Sequence, residues 1–392
     1  MNLQKKPKRV VLCAFIGAVS AFCQTSSPIV ADVYVQTLKG VNVYTANSAG
    51  KLTLVAGSPF ATSGQMGGVN GKYLISVGTY YLHTYPIGTN GAVGRQVSQS
   101  DTRSYGGSQC GGTDGAGFKL DHTGKYFFTQ LAGATYVSNG ETYELCSDWQ
   151  SYKLGTNGLL TYLGNQEGDA FYHGNAFEIP IYTISSNDKY AYGDFDDVYA
   201  TVWRAFLINS NGELVGNPNF SEVDPTPKPD NNGFENNYFP LQMAADPAGH
   251  LALLMYEPFA QTTPPPQLAS YTINGEGGIV STNTWEDMPT PAVYGSLSMS
   301  TSGKLLASYG TGLQLFHFNG ASPITPYSGV LLPGVNIDQV AWDSANHLYA
   351  LSYAKDLIYV YTATPTSISA VAGSPFKVAG AYGIKGLVVV PK

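Results

Sequence analysis

A short turn motif recurs six times along this chain, and that repetition constrains the fold more than any other feature of the sequence. In each copy a glycine, asparagine or aspartate precedes a lysine or histidine, which leads into an apolar stretch. Glycine, asparagine and aspartate tolerate the positive φ of a tight turn, so each copy predicts a β-hairpin. The six copies occupy residues 70–74, 123–127, 187–191, 248–252, 302–306 and 345–349.

A second tight turn follows most copies of the first. It is marked by asparagine and glycine and lies at residues 89–91, 156–158, 211–213, 274–276 and 319–320. Two hairpins per unit predict a four-stranded sheet. The shortest spacing between first turns, 43 residues, matches the roughly 40–50 residues of one propeller blade. Longer units carry insertions, at 138–148, 221–237 and the proline run 264–266, and we expect these at a rim because proline cannot donate to a central strand.

The two ends of the chain supply the remaining unit. Asp32–Phe60 has three strand patterns, and the valine-rich Gly386–Pro391 has one, which would be the innermost strand. The phrase Val-Ala-Gly-Ser-Pro-Phe occurs at both 55–60 and 371–376, each time ending a unit. We therefore predict an all-β, seven-bladed β-propeller of four-stranded antiparallel blades, closed by pairing of the two ends. An eight-stranded sandwich and a right-handed β-helix are alternatives, because counting turns cannot distinguish them from a ring.

The first 23 residues have the pattern of an export signal. A basic segment precedes the apolar run Val10–Val19, and cleavage is expected after Ala21 or Cys23. Residues 24–392 then form one propeller domain that is secreted or periplasmic. Lipoprotein anchoring through Cys23 is the less favoured alternative, since Phe22 stands where a lipid-attachment box has a small residue.

Charge and hydropathy narrow the classes of partner. The formal net charge is −7, and removal of the basic leader would make it more negative, which argues against nucleic acid as a ligand. Beyond the leader no apolar run approaches the roughly 18 residues of a transmembrane helix. The chain also lacks a coiled-coil segment, so we expect a monomer that binds a small molecule, glycan or protein at its axial funnel.

Two cysteines remain beyond the leader and its cleavage site. Cys110 and Cys146 are expected to form a disulfide in an oxidising compartment. Metal ligation is the weaker alternative, because neither cysteine belongs to a Cys-x-x-Cys pair or a histidine cluster.

The segment Leu120–Phe127, together with the repeated Gly-Ser-Pro-Phe ending, resembles the bacterial lactonase-like seven-bladed propellers, which are also described as YVTN-repeat or 6-phosphogluconolactonase-like proteins. This resemblance covers almost the whole mature chain. It implies a central pocket with histidine, arginine and glutamate that hydrolyses a sugar lactone. The stretch Ser108–Asp114 has no histidine where the family has a Pro-His-Pro-His entrance.

The axial funnel is where a propeller binds its ligands, so its loops supply the candidate site residues. His173 is the candidate acid or base, since it precedes a blade and an ordinary histidine titrates near neutrality. Glu178 and Arg204 would complete a set similar to that of the family. In the alternative interpretation these residues have no catalytic role: His173 hydrogen-bonds within its loop, Glu178 faces solvent and Arg204 pairs with a carboxylate. Other funnel candidates are Gln65, Asp114, Tyr238, Tyr294, Asp338 and Lys385.

Three carboxylates lie close together in the fourth unit, at Asp194, Asp196 and Asp197. We expect them in the loop between the second and third strands, where such oxygen ligands suit Ca²⁺. The segment lacks the glycine and distal glutamate of an EF-hand, which favours a solvated acidic loop over a calcium site.

Two functions remain open from sequence. The first is an extracytoplasmic binding or scaffold module with tyrosine-rich loops. The alternative is a lactonase-type hydrolase of a sugar lactone or related cyclic ester. Motifs of serine hydrolases, zinc proteases and P-loop enzymes are missing from the chain.

Overall fold

The seven-bladed β-propeller is confirmed by the computed structural model, in which seven small antiparallel sheets form a ring. Each blade runs from an innermost strand beside the axis to an outer strand. The sandwich and the β-helix are thereby excluded. The structure describes residues 27–104, 110–112, 117–133, 135–138, 141–144, 147–167, 169–172, 175–178, 180–197, 200–226, 238–256 and 265–392. The export signal predicted over residues 1–23 lies outside these ranges.

The first blade joins the two ends of the chain, as predicted. Its strands from outside to inside are β3 (Leu52–Leu54), β2 (Gly40–Asn47), β1 (Ile29–Thr37) and β35 (Gly386–Pro391). β35 is antiparallel to β1, with Tyr34 opposite Val388. The Lys392 ammonium forms an ion pair of 2.9 Å with Asp32 at the end of this pairing.

The remaining blades follow in chain order. The second has β4 (Gln65–Val69), β5 (Tyr73–Val77), β6 (Tyr81–Pro86) and β7 (Ser98–Asp101), followed by a 3₁₀ turn, Thr102–Ser104. The third has β8 (Cys110–Gly112), β9 (Phe118–Leu120), β10 (Tyr126–Gly133), β13 (Ser147–Leu154) and β14 (Leu160–Glu167). The fourth has β17 (Ile181–Ile184), β18 (Tyr190–Asp197), β19 (Ala200–Ile208) and β20 (Leu214–Gly216).

Three further blades complete the ring. The fifth has β21 (Glu222–Val223), β22 (Phe239–Ala245), β23 (His250–Tyr256), β24 (Gln267–Ile273) and β25 (Ile279–Val280). The sixth has β26 (Ser296–Met299), β27 (Leu305–Asn319), β28 (Ser322–Pro326) and β29 (Leu331–Asn336). The seventh has β30 (Gln339–Trp342), β31 (His347–Ser352), β32 (Leu357–Ala363), β33 (Ile368–Ala370) and β34 (Phe376–Lys377). β27 folds back on itself, since the Phe318 N–H donates to the Lys304 carbonyl at 2.9 Å.

An additional sheet, which the turn pattern does not predict, lies outside the seven blades. It contains β11 (Thr135–Ser138), β12 (Glu141–Glu144), β16 (Asn175–Glu178) and β15 (Asp169–Tyr172), in that order. The expected insertion at 138–148 thus contributes strands rather than only a loop. No helix of the described segments has the length and apolar character needed to cross a bilayer.

The six predicted first turns share one stabilising contact. At each turn an aspartate, asparagine or serine side chain accepts the backbone N–H that starts the second strand. The N–H groups and the side chains that accept them are Tyr73 and Asn70, Tyr126 and Asp121, Tyr190 and Ser185, His250 and Asp246, Leu305 and Ser300, and His347 and Asp343, at 2.7–3.0 Å. These turns all lie on one face of the ring, the lower face. The loops that lead into the innermost strands form the upper face.

Tyrosines join neighbouring blades at the second turns. Tyr73 donates its hydroxyl to the Thr156 carbonyl at 2.9 Å, and Tyr190 donates to the Gly275 carbonyl at 2.8 Å. Each ring lies against a turn of the following blade. Much of the tyrosine content therefore serves contacts between blades, where an apolar ring and a polar hydroxyl are both satisfied.

The hydrophobic core is divided among the spaces between blades. Each space is filled by alternating side chains from two facing sheets, as in the first-to-second blade cluster of Tyr34, Val43, Leu74 and Tyr85. The repeated Gly-Ser-Pro-Phe phrases end equivalent blades. In both, the serine hydroxyl accepts a third-strand N–H, from Val43 to Ser58 at 3.2 Å and from Val360 to Ser374 at 2.9 Å.

Candidate functional site

A cavity of about 360 Å³ opens on the upper face between the first and second blades. Two of the predicted funnel residues, Gln65 and Lys385, line it together. Gln65 starts β4, and Lys385 immediately precedes β35. The other lining residues are Gln36, Thr37, Leu38, Thr62, Gly64, Val77, Gly78 and Thr79. This volume lies at the lower end of the ~300–1,000 Å³ of small-molecule sites.

Gln36 lines the cavity, and its side-chain amide makes two hydrogen bonds within the protein. It donates to the Gly64 carbonyl at 2.5 Å and accepts the Met66 N–H, so the amide ties β1 to the segment leading into β4. Gln36 is buried. The loop that carries Gln65 is therefore positioned by a buried contact from the neighbouring blade.

Four polar side chains around the cavity have no protein partner within the described ranges. They are the Thr62 hydroxyl, whose oxygen is buried, the Gln65 amide, the Thr79 hydroxyl and the Lys385 ammonium. Only the Thr62 oxygen is buried, and a buried polar group without a hydrogen bond costs free energy that a ligand or water removes. Thr79 and Lys385 are exposed to solvent. The cavity thus offers donors and acceptors from amide and hydroxyl groups beside one positive charge.

Exposed apolar side chains flank the cavity. Leu38 lines it and is 55% exposed, and its N–H donates to the Tyr382 carbonyl at 3.0 Å. Tyr382 is 63% exposed and Tyr80, which follows Thr79, is 42% exposed. The Arg103 guanidinium lies 4.6 Å from the centre of the Tyr80 ring. These side chains give a polar cavity an apolar rim.

Three other funnel candidates, Asp338, Tyr294 and Tyr238, are described by the structure and do not line this cavity. Asp338, before β30, accepts the Tyr353 N–H and the Asn336 side-chain amide, both at 2.7 Å. Burial and the Asp338 charge raise the pKa of Tyr353 well above its ordinary value. Tyr294 is 55% exposed and Tyr238 is buried. Asp114 lies outside the described residues.

The predicted catalytic set is only partly placed. His173 lies outside the described residues. Glu178 belongs to β16, where it pairs with Asp169 in the additional sheet, and not to the fourth blade where Arg204 lies. Arg204 is exposed on β19. Convergence of these three side chains on one cavity therefore stays a prediction.

The acidic segment differs from its predicted setting. β18 continues to Asp197, so Asp194, Asp196 and Asp197 lie in a strand paired with β19 and not in a loop. Backbone pairing with β19 continues through the whole acidic segment, from Asp194 opposite Trp203 to Asp197 opposite Ala200. Among the side chains that the structure describes, no three acidic, histidine or cysteine groups are placed to hold a metal. The side chains of Asp194, Asp196 and Asp197 are outside that description, so calcium binding by this segment stays a prediction.

The predicted disulfide also stays untested. Cys110 starts β8, but Cys146 is outside the described residues.

Thr62 and Thr79 line the cavity, and the sequence analysis did not identify them. Their only sequence signal is proximity to Gln65 and to the second-to-third strand turn of the second blade.

Comparison with solved structures confirms the architecture. A proposed 6-phosphogluconolactonase from Bacteroides fragilis matches 94% of this chain and 99% of its own, at 14% identity and a TM-score of 0.57. A proposed 6-phosphogluconolactonase from Bacteroides uniformis matches 92% of this chain and 99% of its own, at 14% identity and a TM-score of 0.61. A Lactobacillus plantarum protein matches 92% and 100%, at 12% identity and a TM-score of 0.63. No family model and no curated protein matches the chain. At these identities the likeness concerns the fold alone.

Proposed function

We propose that this protein is an extracytoplasmic binding module that holds a small, negatively charged polar ligand in the upper-face cavity. The observation that carries the proposal is the set of four unpaired polar groups, Thr62, Gln65, Thr79 and Lys385, around one cavity. The fold likeness is compatible with it, since propellers bind ligands at the funnel.

The chemistry of the lining favours an anionic sugar. The Lys385 ammonium would pair with a carboxylate or phosphate, and the amide and hydroxyl groups would bond sugar hydroxyls. Tyr80 and Tyr382 offer apolar ring surface at the rim. A monosaccharide acid fits this combination of one charge, several hydroxyls and an apolar face.

Isothermal titration calorimetry of the purified protein tests the proposal with glucuronate and uncharged glucose. We expect glucuronate to bind more tightly than glucose. Lys385→Met should weaken glucuronate binding about 10- to 150-fold, because a hydrogen bond to a charged group contributes about 1.5–3 kcal/mol. Lys51→Met, which removes an exposed charge outside the cavity lining, is the matched control. Equal binding by the Lys385 and Lys51 variants would contradict the assignment.

The extracytoplasmic location is part of the proposal and is supported by the basic and apolar leader. Fractionation of cells that express the full chain tests it. Recovery of a shortened chain outside the cytoplasm is expected, and full-length protein confined to the cytoplasm would contradict it.

Lactone hydrolysis is the second candidate function, favoured by the fold likeness to two proposed 6-phosphogluconolactonases. In this case His173 would activate water, Arg204 would stabilise the oxyanion and Glu178 would orient the base. A pH-stat assay on a sugar δ-lactone tests it. His173→Ala should lower the rate about 100- to 10,000-fold, whereas His122→Ala on the lower face should not. A rate equal to that of buffer removes this candidate.

A further inference from the structure

Another cavity, of about 440 Å³, opens on the lower face between the third and fourth blades. Its size is within the range of small-molecule sites. The third blade lines it with the start of β10 and with β13, and the fourth blade lines it with its second turn. The polar lining includes Lys125, Tyr126, Lys153, Ser210, Asn211 and Glu213. None of these residues lines the upper-face cavity, so the two cavities are separate.

Lys153 distinguishes the third blade from other blades with the same first turn. It lies opposite Tyr126, so both side chains project from the same face of the sheet. The equivalent position is uncharged in the second, fourth, fifth and seventh blades, where it is Pro86, Leu207, Thr272 and Thr362. Lys125 belongs to the repeated turn, and Lys153 adds a second ammonium group to the same cavity.

Three hydrogen-bond donors of this cavity have no acceptor among the described residues. The Lys125 ammonium lies 4.7 Å from the centre of the Tyr126 ring, and neither Lys125 nor Lys153 forms an ion pair there. The equivalent tyrosines, Tyr73 and Tyr190, donate their hydroxyls to a turn carbonyl of the next blade, whereas the Tyr126 hydroxyl makes no such bond. Two cations and a phenol are therefore available to a ligand.

The charge of the lining selects among oxyanions. Glu213 adds one carboxylate, held by the Asn209 side-chain amide at 3.1 Å, to the two ammonium groups, so the formal net charge is +1. A phosphate monoester carries about −1.5 to −2 at pH 7 and exceeds this charge. A carboxylate has the matching charge but only two oxygens. A sulfate ester has a single negative charge and three terminal oxygens, one for each donor.

We propose that the lower-face cavity binds a sulfated sugar. The sulfate group accepts hydrogen bonds from Lys125, Lys153 and Tyr126. Ser210 and Asn211 are exposed at the turn that closes the other side of the cavity, where their side chains bond sugar hydroxyls. This site does not depend on the function proposed for the upper-face cavity.

Isothermal titration calorimetry with glucose 6-sulfate, glucose 6-phosphate and glucose tests the site. The full protein carries Lys385→Met, so that its upper-face cavity has lost its cation. We expect glucose 6-sulfate to bind most tightly. Adding Lys153→Met should weaken this binding about 5-fold or more. Lys189→Met is the matched control, because Lys189 has the place of Lys125 in the fourth blade but is outside the cavity lining.

Three results would overturn the proposal: no binding of glucose 6-sulfate, equal affinities after Lys153→Met and Lys189→Met, or tighter binding of the phosphate than of the sulfate. Lys153→Met by itself should bind glucuronate as the wild type does. Failure of the lower-face site is thereby distinguishable from failure of the upper-face one.

Two further variants test the donor count and the charge balance. Tyr126→Phe keeps the ring and removes the third donor, so the sulfate should bind about 2- to 12-fold more weakly. Tyr73→Phe, whose hydroxyl bonds to the next blade, should leave the affinity unchanged. Glu213→Gln removes the negative charge and should shift the preference toward glucose 6-phosphate. Equal effects of the two tyrosine variants, or an unchanged ratio of sulfate to phosphate affinity in Glu213→Gln, would overturn the assignment.

Discussion

At the scale of single residues, this propeller depends on contacts that join each blade to the next. The ideal Cβ position of Gly212 lies 1.9 Å from the Tyr126 ring, and the glycine has a φ of +87°. Glycine is required there for two reasons, the close approach of the ring and the left-handed backbone. The same close approach recurs at Gly158 against Tyr73 and at Gly277 against Tyr190.

Gly212→Ala should therefore destabilise the protein by about 1–3 kcal/mol, from backbone strain and displacement of Tyr126. Urea denaturation measures the effect. Gly216→Ala is the matched control, because no atom lies within 4 Å of the added methyl and its φ is not positive. Similar losses in the two variants would contradict this account.

Asp343 illustrates a buried carboxylate that its neighbours keep ionised. It is fully buried and accepts hydrogen bonds from the Ala345 and His347 N–H groups, the His347 ring and the Tyr349 hydroxyl, at 2.7–2.9 Å. Burial by itself would raise the pKa of Asp343, but these hydrogen bonds outweigh it, and the pKa lies below its ordinary value.

The depressed pKa predicts a dependence of stability on pH. Asp343 contributes stability above the unfolded-state pKa of about 3.9, and this contribution is lost as pH falls through the lower folded-state pKa. Asp343→Asn should lower stability at pH 7 and flatten its decline below about pH 4. Asp356→Asn, at a turn of the same blade, serves as control. An acid profile unchanged by Asp343→Asn would contradict the prediction.

At the scale of elements, β35 closes the ring. It covers the free edge of β1, Leu387 packs toward the seventh blade, and Val388 and Val390 pack toward the second. Although β35 has only six residues, its side chains help fill the space between the seventh and first blades and the space between the first and second blades.

Deletion of residues 386–392 should abolish the cooperative unfolding transition and expose β1 as an unpaired edge prone to association. Circular dichroism and gel filtration measure both effects. Lys392→Met, which removes the ion-pair partner of the buried Asp32 carboxylate, should cost about 1–3 kcal/mol and keep the cooperative transition. A soluble truncated monomer with a normal transition would contradict the role assigned to β35.

At the scale of the whole molecule, the first and last segments of the described propeller lie side by side, so the ring has no required starting point. The Lys392 N–H donates to the Val30 carbonyl at 2.8 Å, so a short Gly/Ser linker can join Lys392 to Ser27. The segment around Gly329 is exposed, and no atom would meet a Cβ there.

A circular permutant with new ends between Gly329 and Val330 should fold and keep a Tm within a few degrees of the parent, because all seven blades retain their strands. A permutant with new ends between Tyr349 and Ala350, inside buried β31, should not fold. Failure of the first permutant, or success of both, would contradict a ring closed only by strand pairing.

The sequence by itself determined the number of blades, the first turns and the pairing of the two ends, because turn residues and strand alternation act within a few residues. Only the tertiary structure decided which side chains meet. Gln36, Thr62, Thr79 and Lys385 come from distant parts of the chain and converge through ring closure. The additional sheet escaped prediction because its β12–β16 pairing joins segments about thirty residues apart and carries no repeated turn.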